Sequence, residues 1–107
     1  MRADNRLHNA IGLAMKAGKC VSGDFIVERT LRDNKARLVL LDETVSSSTR
    51  QRYERLCQRG PTPLLTLQGL GQAIGKPSRM IAAVTDENMT KLILGAVAPC
   101  DKNGGKA

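Results

Sequence analysis

Aromatic side chains are nearly missing from this chain: one Tyr, one Phe and no Trp in 107 residues. Stacking bases along a row of rings, as the common single-strand readers do, is therefore excluded as the main mode of recognition. Histidine occurs once, at His8, with no Ser, Cys or Asp partner in sequence reach, so it reads as a surface or half-buried helix residue rather than a catalyst. The three cysteines, Cys20, Cys57 and Cys100, are odd in number and dispersed, without a CxxC pair or a neighbouring histidine. That excludes the usual metal sets and a disulfide framework and suits a reduced cytoplasm. No run of about 18 apolar residues exists, and Arg2, Asp4, Asn5, Arg6 and His8 interrupt any secretory h-region. The expectation is a soluble cytoplasmic protein without cofactor, metal or membrane partner.

What is present is ordinary globular composition, 41% hydrophobic and 25% charged, in a length that suits one domain. Lys and Arg number 17 against 10 Asp and Glu, a formal charge of +7, so a polyanion is the expected partner class and nucleic acid its foremost example. With so few rings, contacts to phosphates and base edges must carry most of such binding.

Periodicity orders the chain. Leu7, Ala10, Ile11 and Ala14 share one face of a helix over Asn5 to Ala17, with Asp4 or Asn5 as its N-cap and Gly18 as its stop. Lys19 to Val21 is extended, and Ser22 is placed to cap a second helix running to about Asp33. That helix turns Ile26 or Val27, Thr30 and Leu31 inward and leaves Asp24, Phe25, Glu28, Arg29 and Arg32 to solvent. After a turn at Asn34-Lys35, the run from Arg37 to Leu41 has the unbroken apolar character of a central strand, ended by Asp42-Glu43. Ser46 to Ser48 starts a third helix with Tyr53, Leu56 and Cys57 on one side and Arg50, Arg52, Arg55 and Arg59 on a solvated other side, stopped by Gly60. Pro61 and Pro63 bracket the exit. A short strand at Leu64 to Thr66, a short helix at Leu67 to Ile74 and a strand at Met80 to Thr85 follow. Thr85 or Asp86 then caps a last helix with Met89, Leu92, Ile93, Ala96 and Val97 inward, and residues 99–107 form a mobile tail without apolar pattern. Alternating helices and apolar strands predict an α/β fold with the sheet between helices, in one domain over residues 1–98.

Three features invite an enzymatic reading, and each has a plainer one. Gly69 to Gly75 is glycine-rich, but its third glycine comes one place too late for GxGxxG, and no acid stands about 20 positions on for a ribose. It reads as a short helix with small residues packed on the sheet. Asp42-Glu43 and Asp86-Glu87 sit at a strand end and a helix start, where carboxylates commonly cap or solubilise. Cys20 lies near Lys16 and Lys19, yet a thiol in a short strand is better read as a buried small hydrophobe. No catalytic residues are assigned.

The stretch from Ala17 to Arg29, AGKCVSGDFIVER, organises the rest: a helix stop, a short extended piece and a helix start, with basic residues around it. SGDFIVERTLRDNKARLVLL followed by LGQAIGKPSRMIAAVTD resembles the ribosomal protein family of L-seven-Ae and L-thirty-e type, and within it the small bacterial YlxQ-like members. The resemblance covers roughly Leu7 to Leu94, with two separated motifs in order. It implies a three-layer α/β/α sandwich around a mixed sheet of about four strands, and binding of kinked RNA, typically kink-turns, in ribosomes and other ribonucleoprotein particles.

In that family a Gly opens the second helix, and the residues two, three and six places on are typically Asn, Glu and Lys, which read sheared G·A pairs. Here Gly23 is followed at those places by Phe25, Ile26 and Arg29, so the glycine and the basic position agree. Ile26 offers no acceptor to a guanine edge, and Phe25 cannot replace an amide hydrogen bond, although it can stack or cover a sugar face. The family's second element is the loop before the last strand, often apolar, which packs on a flipped-out nucleotide. Here it is Lys76 to Met80, chemically suited to phosphate. The expected RNA-contacting set is thus Lys16, Lys19, Ser22, Gly23, Asp24, Phe25, Ile26, Arg29 and Arg32, with Lys76, Pro77, Ser78 and Arg79 across the edge. The expected protein is a non-catalytic, monomeric RNA binder of ribosomal or translational context. The alternative is a protein–protein adaptor of the same fold that has lost kink-turn reading.

Overall fold

In the computed structural model of the protein, the backbone is described for residues 3–102 and the side chains for residues 6–97. The elements are α1 (Ala3–Lys16), β1 (Cys20–Ser22), α2 (Asp24–Arg32), β2 (Leu38–Asp42), α3 (Ser47–Arg59), β3 (Leu64–Leu67), α4 (Leu70–Ile74), β4 (Ile81–Val84) and α5 (Glu87–Lys102). The four strands lie in the order β1-β4-β2-β3, with β4 antiparallel to both neighbours and β2 parallel to β3. The expected mixed four-stranded sheet is present, and it is covered on both faces.

Strand alternation assigns the two faces. Leu38 and Leu40 of β2 and Ala82 and Val84 of β4 point into one core with α1, α4 and α5, while Val39, Leu41, Ile81 and Ala83 point into the other with α2 and α3. Every residue of β2 is buried, as a strand covered on both faces requires. The layers are α1/α4/α5, the sheet, and α2/α3.

Three helices end alike. Gly18, Asn34 and Gly75 adopt left-handed φ values of 73°, 60° and 75°. In each case the amides of that residue and the next reach back three and five positions: Gly18 to Met15 and Lys19 to Ala14, Asn34 to Leu31 and Lys35 to Thr30, Gly75 to Gln72 and Lys76 to Gly71. These are Schellman closures, and they turn the chain sharply towards the next element.

Several local expectations are corrected. Asp4 and Asn5 lie within α1, not before it. Ser22 does not cap α2: it is the last residue of β1, opposite Ala82, and Gly23 is the N-cap with no side-chain hydrogen bond. Of Ile26 and Val27, Val27 faces the core with Leu31, and Ile26 is 44% exposed. The short fourth helix begins at Leu70, because Leu67 still pairs with Asp42 and Gly69 is left-handed. Leu92 stands 47% exposed, since the buried stripe of α5 runs through Ile93 and Ala96 and leaves it at the margin. The backbone of α5 reaches Lys102, past Pro99; the rest of the expected tail, 103–107, lies outside the described residues.

The aspartate of each acidic pair is a capping group. Asp42 is buried at the end of β2, where its carboxylate accepts the Leu70 amide that opens α4 at 2.9 Å and the Thr44 amide at 3.0 Å. Burial opposes its ionisation, but these bonds and the Thr44 hydroxyl outweigh burial and hold the carboxyl below its ordinary range. Asp86 accepts the Met89 amide at 2.9 Å at the start of α5. His8 bonds the Gln68 carbonyl at 2.8 Å, tying α1 to the β3–α4 turn.

Candidate nucleic-acid interface

Register builds the site. Because Ser22 pairs with Ala82 and Leu41 with Ile81, the end of β1, the end of β2 and the start of β4 meet at one edge of the sheet. The Gly23 amide donates to the Ile81 carbonyl at 2.9 Å, fixing the entry of α2 beside the loop that precedes β4. That loop leaves α4 at Gly75 and folds on itself, with the Arg79 amide on the Lys76 carbonyl at 2.9 Å. It returns over Gly71, where a Cβ would meet the carbonyl oxygens of Pro77 and Lys76 at 2.7 and 2.9 Å. At its tip the loop meets the early junction: a Cβ on Gly23 would stand 2.7 Å from Nη1 of Arg79. The late loop and the early junction are therefore one surface.

Between them lies a cleft of about 510 Å³, lined by Gly23 and Asp24, by Ser78 to Ile81, and by Thr44, Val45, Ser46 and Thr49. The last group was not among the expected contacts. Its signal was the triple serine read only as a helix start. Ser46 does cap α3, accepting the Thr49 amide at 3.2 Å, and it does so at the same edge where α2 begins. Two helix N-termini and the Arg79 guanidinium thus face one cleft, an arrangement that favours an anionic ligand.

Asp24 is the charge that works against an anion here, and α3 takes it up. Arg52 bonds both Asp24 oxygens at 2.9 and 3.1 Å and Glu28 at 2.7 Å, and the Tyr53 hydroxyl donates to Asp24 at 2.6 Å. The Arg52 guanidinium, then the Tyr53 hydroxyl, hold the Asp24 carboxyl below its ordinary range. Burial and the neighbouring carboxylate push the Tyr53 hydroxyl up, so it stays a donor. This corrects the solvated reading of the third helix's arginines for Arg50 and Arg52, while Arg55 and Arg59 are exposed as expected. Arg52 ties α3 to α2, and Arg50 bonds Thr66 at 3.2 Å.

Of the expected set, Gly23, Asp24, Ser78 and Arg79 line the cleft, with exposed Lys76 and Pro77 in the loop beside it. Phe25, Ile26, Arg29 and Arg32 are exposed on α2, Phe25 by 79%. Ser22 contributes backbone pairing. Lys16 and Lys19 are not brought to this edge: the Lys19 carbonyl accepts the Thr85 amide at the far end of β4, roughly 13 Å from Gly23 along the strand. Cys20 is buried, which pushes its thiol up to about 11. Among the described residues, no group of three His, Cys, Asp or Glu could hold a metal, and no helix is long and apolar enough to cross a membrane.

The family model of the ribosomal protein L7Ae/L30e/S12e/Gadd45 family matches residues 5–94. The chain belongs to this family. Within it, the chain is 36% identical over 87 residues to the RNA-binding protein YlxQ of Bacillus subtilis (strain 168), covering 78% of this chain and 87% of that protein. A second relative, the RNA-binding protein YlxQ of Enterococcus faecium, is 30% identical over 86 residues, covering 78% and 82%. The L7Ae-type fold is shared with a protein with unknown function from Bacillus halodurans C, at a TM-score of 0.81 and 22% identity over 86% of this chain and 96% of that one. It is also shared with the Giardia lamblia 15.5kD RNA binding protein, at a TM-score of 0.72 and 13% identity over 90% and 85%.

Proposed function

We propose that this L7Ae-family chain is a non-catalytic RNA-binding protein that holds a structured, kinked RNA against the cleft between α2, the start of α3 and the Lys76–Met80 loop. We place it in the cytoplasm, acting as a monomer in a ribosomal or translational setting. The observation that carries this reading is Arg79 lying on the uncapped N-terminus of α2 at Gly23. Free amides and a guanidinium there present hydrogen-bond donors to one stretch of backbone, and Gly23 has no side chain to hold that backbone away. The names of the YlxQ relatives support RNA as the ligand. Arg52 favours the same ligand by neutralising Asp24. Lys16 and Lys19 contribute only to an RNA that extends along the β1 edge.

The test is the salt dependence of RNA affinity. Each phosphate neutralised adds about 0.7–0.9 to the slope of log affinity against log salt. Arg79→Ala and Arg29→Ala are each expected to flatten that slope by about one phosphate's share; unchanged slopes remove both residues from the interface. A second reading, an adaptor that contacts a protein, is favoured by the exposure of Phe25 at 79% and Ile26 at 44%. It predicts that no RNA binds in a salt-dependent way.

A further inference from the structure

The α1/α4/α5 layer carries apolar surface that the core does not use. On α1 the buried stripe runs through Leu7, Ala10, Ile11 and Ala14, yet Leu13 beside it stands 53% exposed. On α5 the stripe runs through Ile93 and Ala96, and Leu92 beside it stands 47% exposed. The two helices pack on each other, so both leucines fall into one groove of about 410 Å³ between them, with the buried Ala10 and Ala96 beneath. Gly95 leaves its middle open: a Cβ there would meet nothing within 4 Å. Arg6 and Lys91 stand exposed along the rim with the neutral Asn9, and no acid lines the groove. Glu87, one turn before Lys91, lies outside the lining. Apolar surface gathered in a groove and rimmed by polar groups, rather than scattered singly, marks an interaction site.

We propose that the groove between α1 and α5 docks an amphipathic helix of a partner protein, whose apolar face covers Leu13 and Leu92 and whose flanking acids meet Arg6 and Lys91. A furrow between two packed helices takes a third helix, with side chains set into it as ridges into grooves. Charge decides whose helix it is. A second copy of this chain would bring two molecules of formal charge +7 together and, in a two-fold pairing, set Arg6 and Lys91 against their own kind. RNA would find the two cations but would also have to cover both leucines, which offer its phosphates and base edges nothing. An acidic amphipathic helix matches the apolar and the charged parts at once. The groove lies on the other side of the sheet from α2 and α3, so a docked helix leaves the cleft at Gly23 and Arg79 open. The inference stands apart from the RNA-binding reading, and together they make the chain a link between an RNA and a second protein.

The probes are three dye-labelled helical peptides that share one leucine face and carry glutamate, lysine or glutamine over the rest of their surface. Anisotropy titrations of the full chain are expected to show the glutamate peptide binding tighter than the lysine peptide by roughly ten-fold or more. Amide shifts in NMR spectra are expected on α1 and α5 and not at Gly23 or Arg79. Arg6→Glu combined with Lys91→Glu is expected to reverse the preference. Leu13→Gln combined with Leu92→Gln is expected to weaken the glutamate peptide by roughly ten-fold or more. The melting temperature stays close to wild type in that variant, since both leucines are exposed and glutamine is a good helix former. General attraction to a chain of charge +7 predicts otherwise, keeping the glutamate preference in both variants. The proposal is overturned if the glutamate peptide fails to bind, or if it binds both variants as it binds wild type. It also falls if the α1 and α5 amides shift with protein concentration or on adding RNA, because a second copy or the RNA then covers this face.

Discussion

Nη1 of Arg79 lies 2.7 Å from where a Cβ on Gly23 would be, and Gly23 holds φ 111° and ψ 143°, a region that only glycine adopts without strain. Two parts of the chain far apart in sequence are thereby joined through the absence of a side chain. Gly23→Ala is expected to destabilise the protein by about 1–3 kcal/mol through backbone strain and to weaken RNA binding by displacing Arg79. Adding Arg79→Ala should restore none of the strain. Thermal melts of the single and double variants separate the two effects.

Gly71→Ala reverses the usual helix rule. Alanine normally improves a helix interior by about 1 kcal/mol over glycine, but at position 71 the new methyl meets the Lys76 and Pro77 carbonyls, which are backbone and cannot step aside. The variant is expected to be less stable and to bind RNA more weakly through a displaced loop. Gly95→Ala in α5 is the control: its Cβ meets nothing within 4 Å, and a gain of about 0.5–1 kcal/mol is expected. Chemical denaturation of both variants, with RNA binding measured alongside, checks the contrast.

Much of this fold was legible because local signals and packing agree. The apolar run at Leu38 to Leu41 predicted a central strand, and the glycine stops at Gly18 and Gly75 predicted turns that the left-handed residues make. What escaped reading depended on register. Whether Ser22 or Gly23 caps α2 is decided by how far β1 pairs with β4, and no local pattern encodes that. Thr44 to Thr49 joins the cleft only because β2 and β4 end at the same edge, and Lys19 leaves it because β1 carries it to the other. Arg52 looked solvated since its partners, Asp24 and Glu28, lie on another helix.

Arg52→Gln tests the tether between α3 and α2. The Asp24 carboxyl is held below its ordinary range in the folded state, so its contribution is full above the unfolded value, about 3.9, and is lost as pH falls through the lower folded value. Asp24 is half-exposed, so the effect is small, within about 1 kcal/mol for a surface pair. The variant is expected to be less stable near neutral pH and to show a shallower loss of stability in acid, measured by melts between about pH 7 and 2. It is also expected to bind RNA more weakly, since Asp24 then faces the ligand uncompensated.

Cys20 and Cys57 are buried, and that burial pushes each thiol up to about 11. In a Cys100→Ser variant, both are expected to resist alkylation at about pH 8 in the folded protein and to react at once in denaturant, where the ordinary value near 8.5 returns. Rapid alkylation without denaturant contradicts their placement in the two cores.

The central claim is tested most directly by titrating the wild-type protein with kinked RNA, plain duplex RNA and single-stranded RNA at several salt concentrations. The account predicts tightest binding to the kinked RNA, salt-dependent in all cases, with the preference kept as salt rises. Equal binding to all three, or no binding to any, contradicts it.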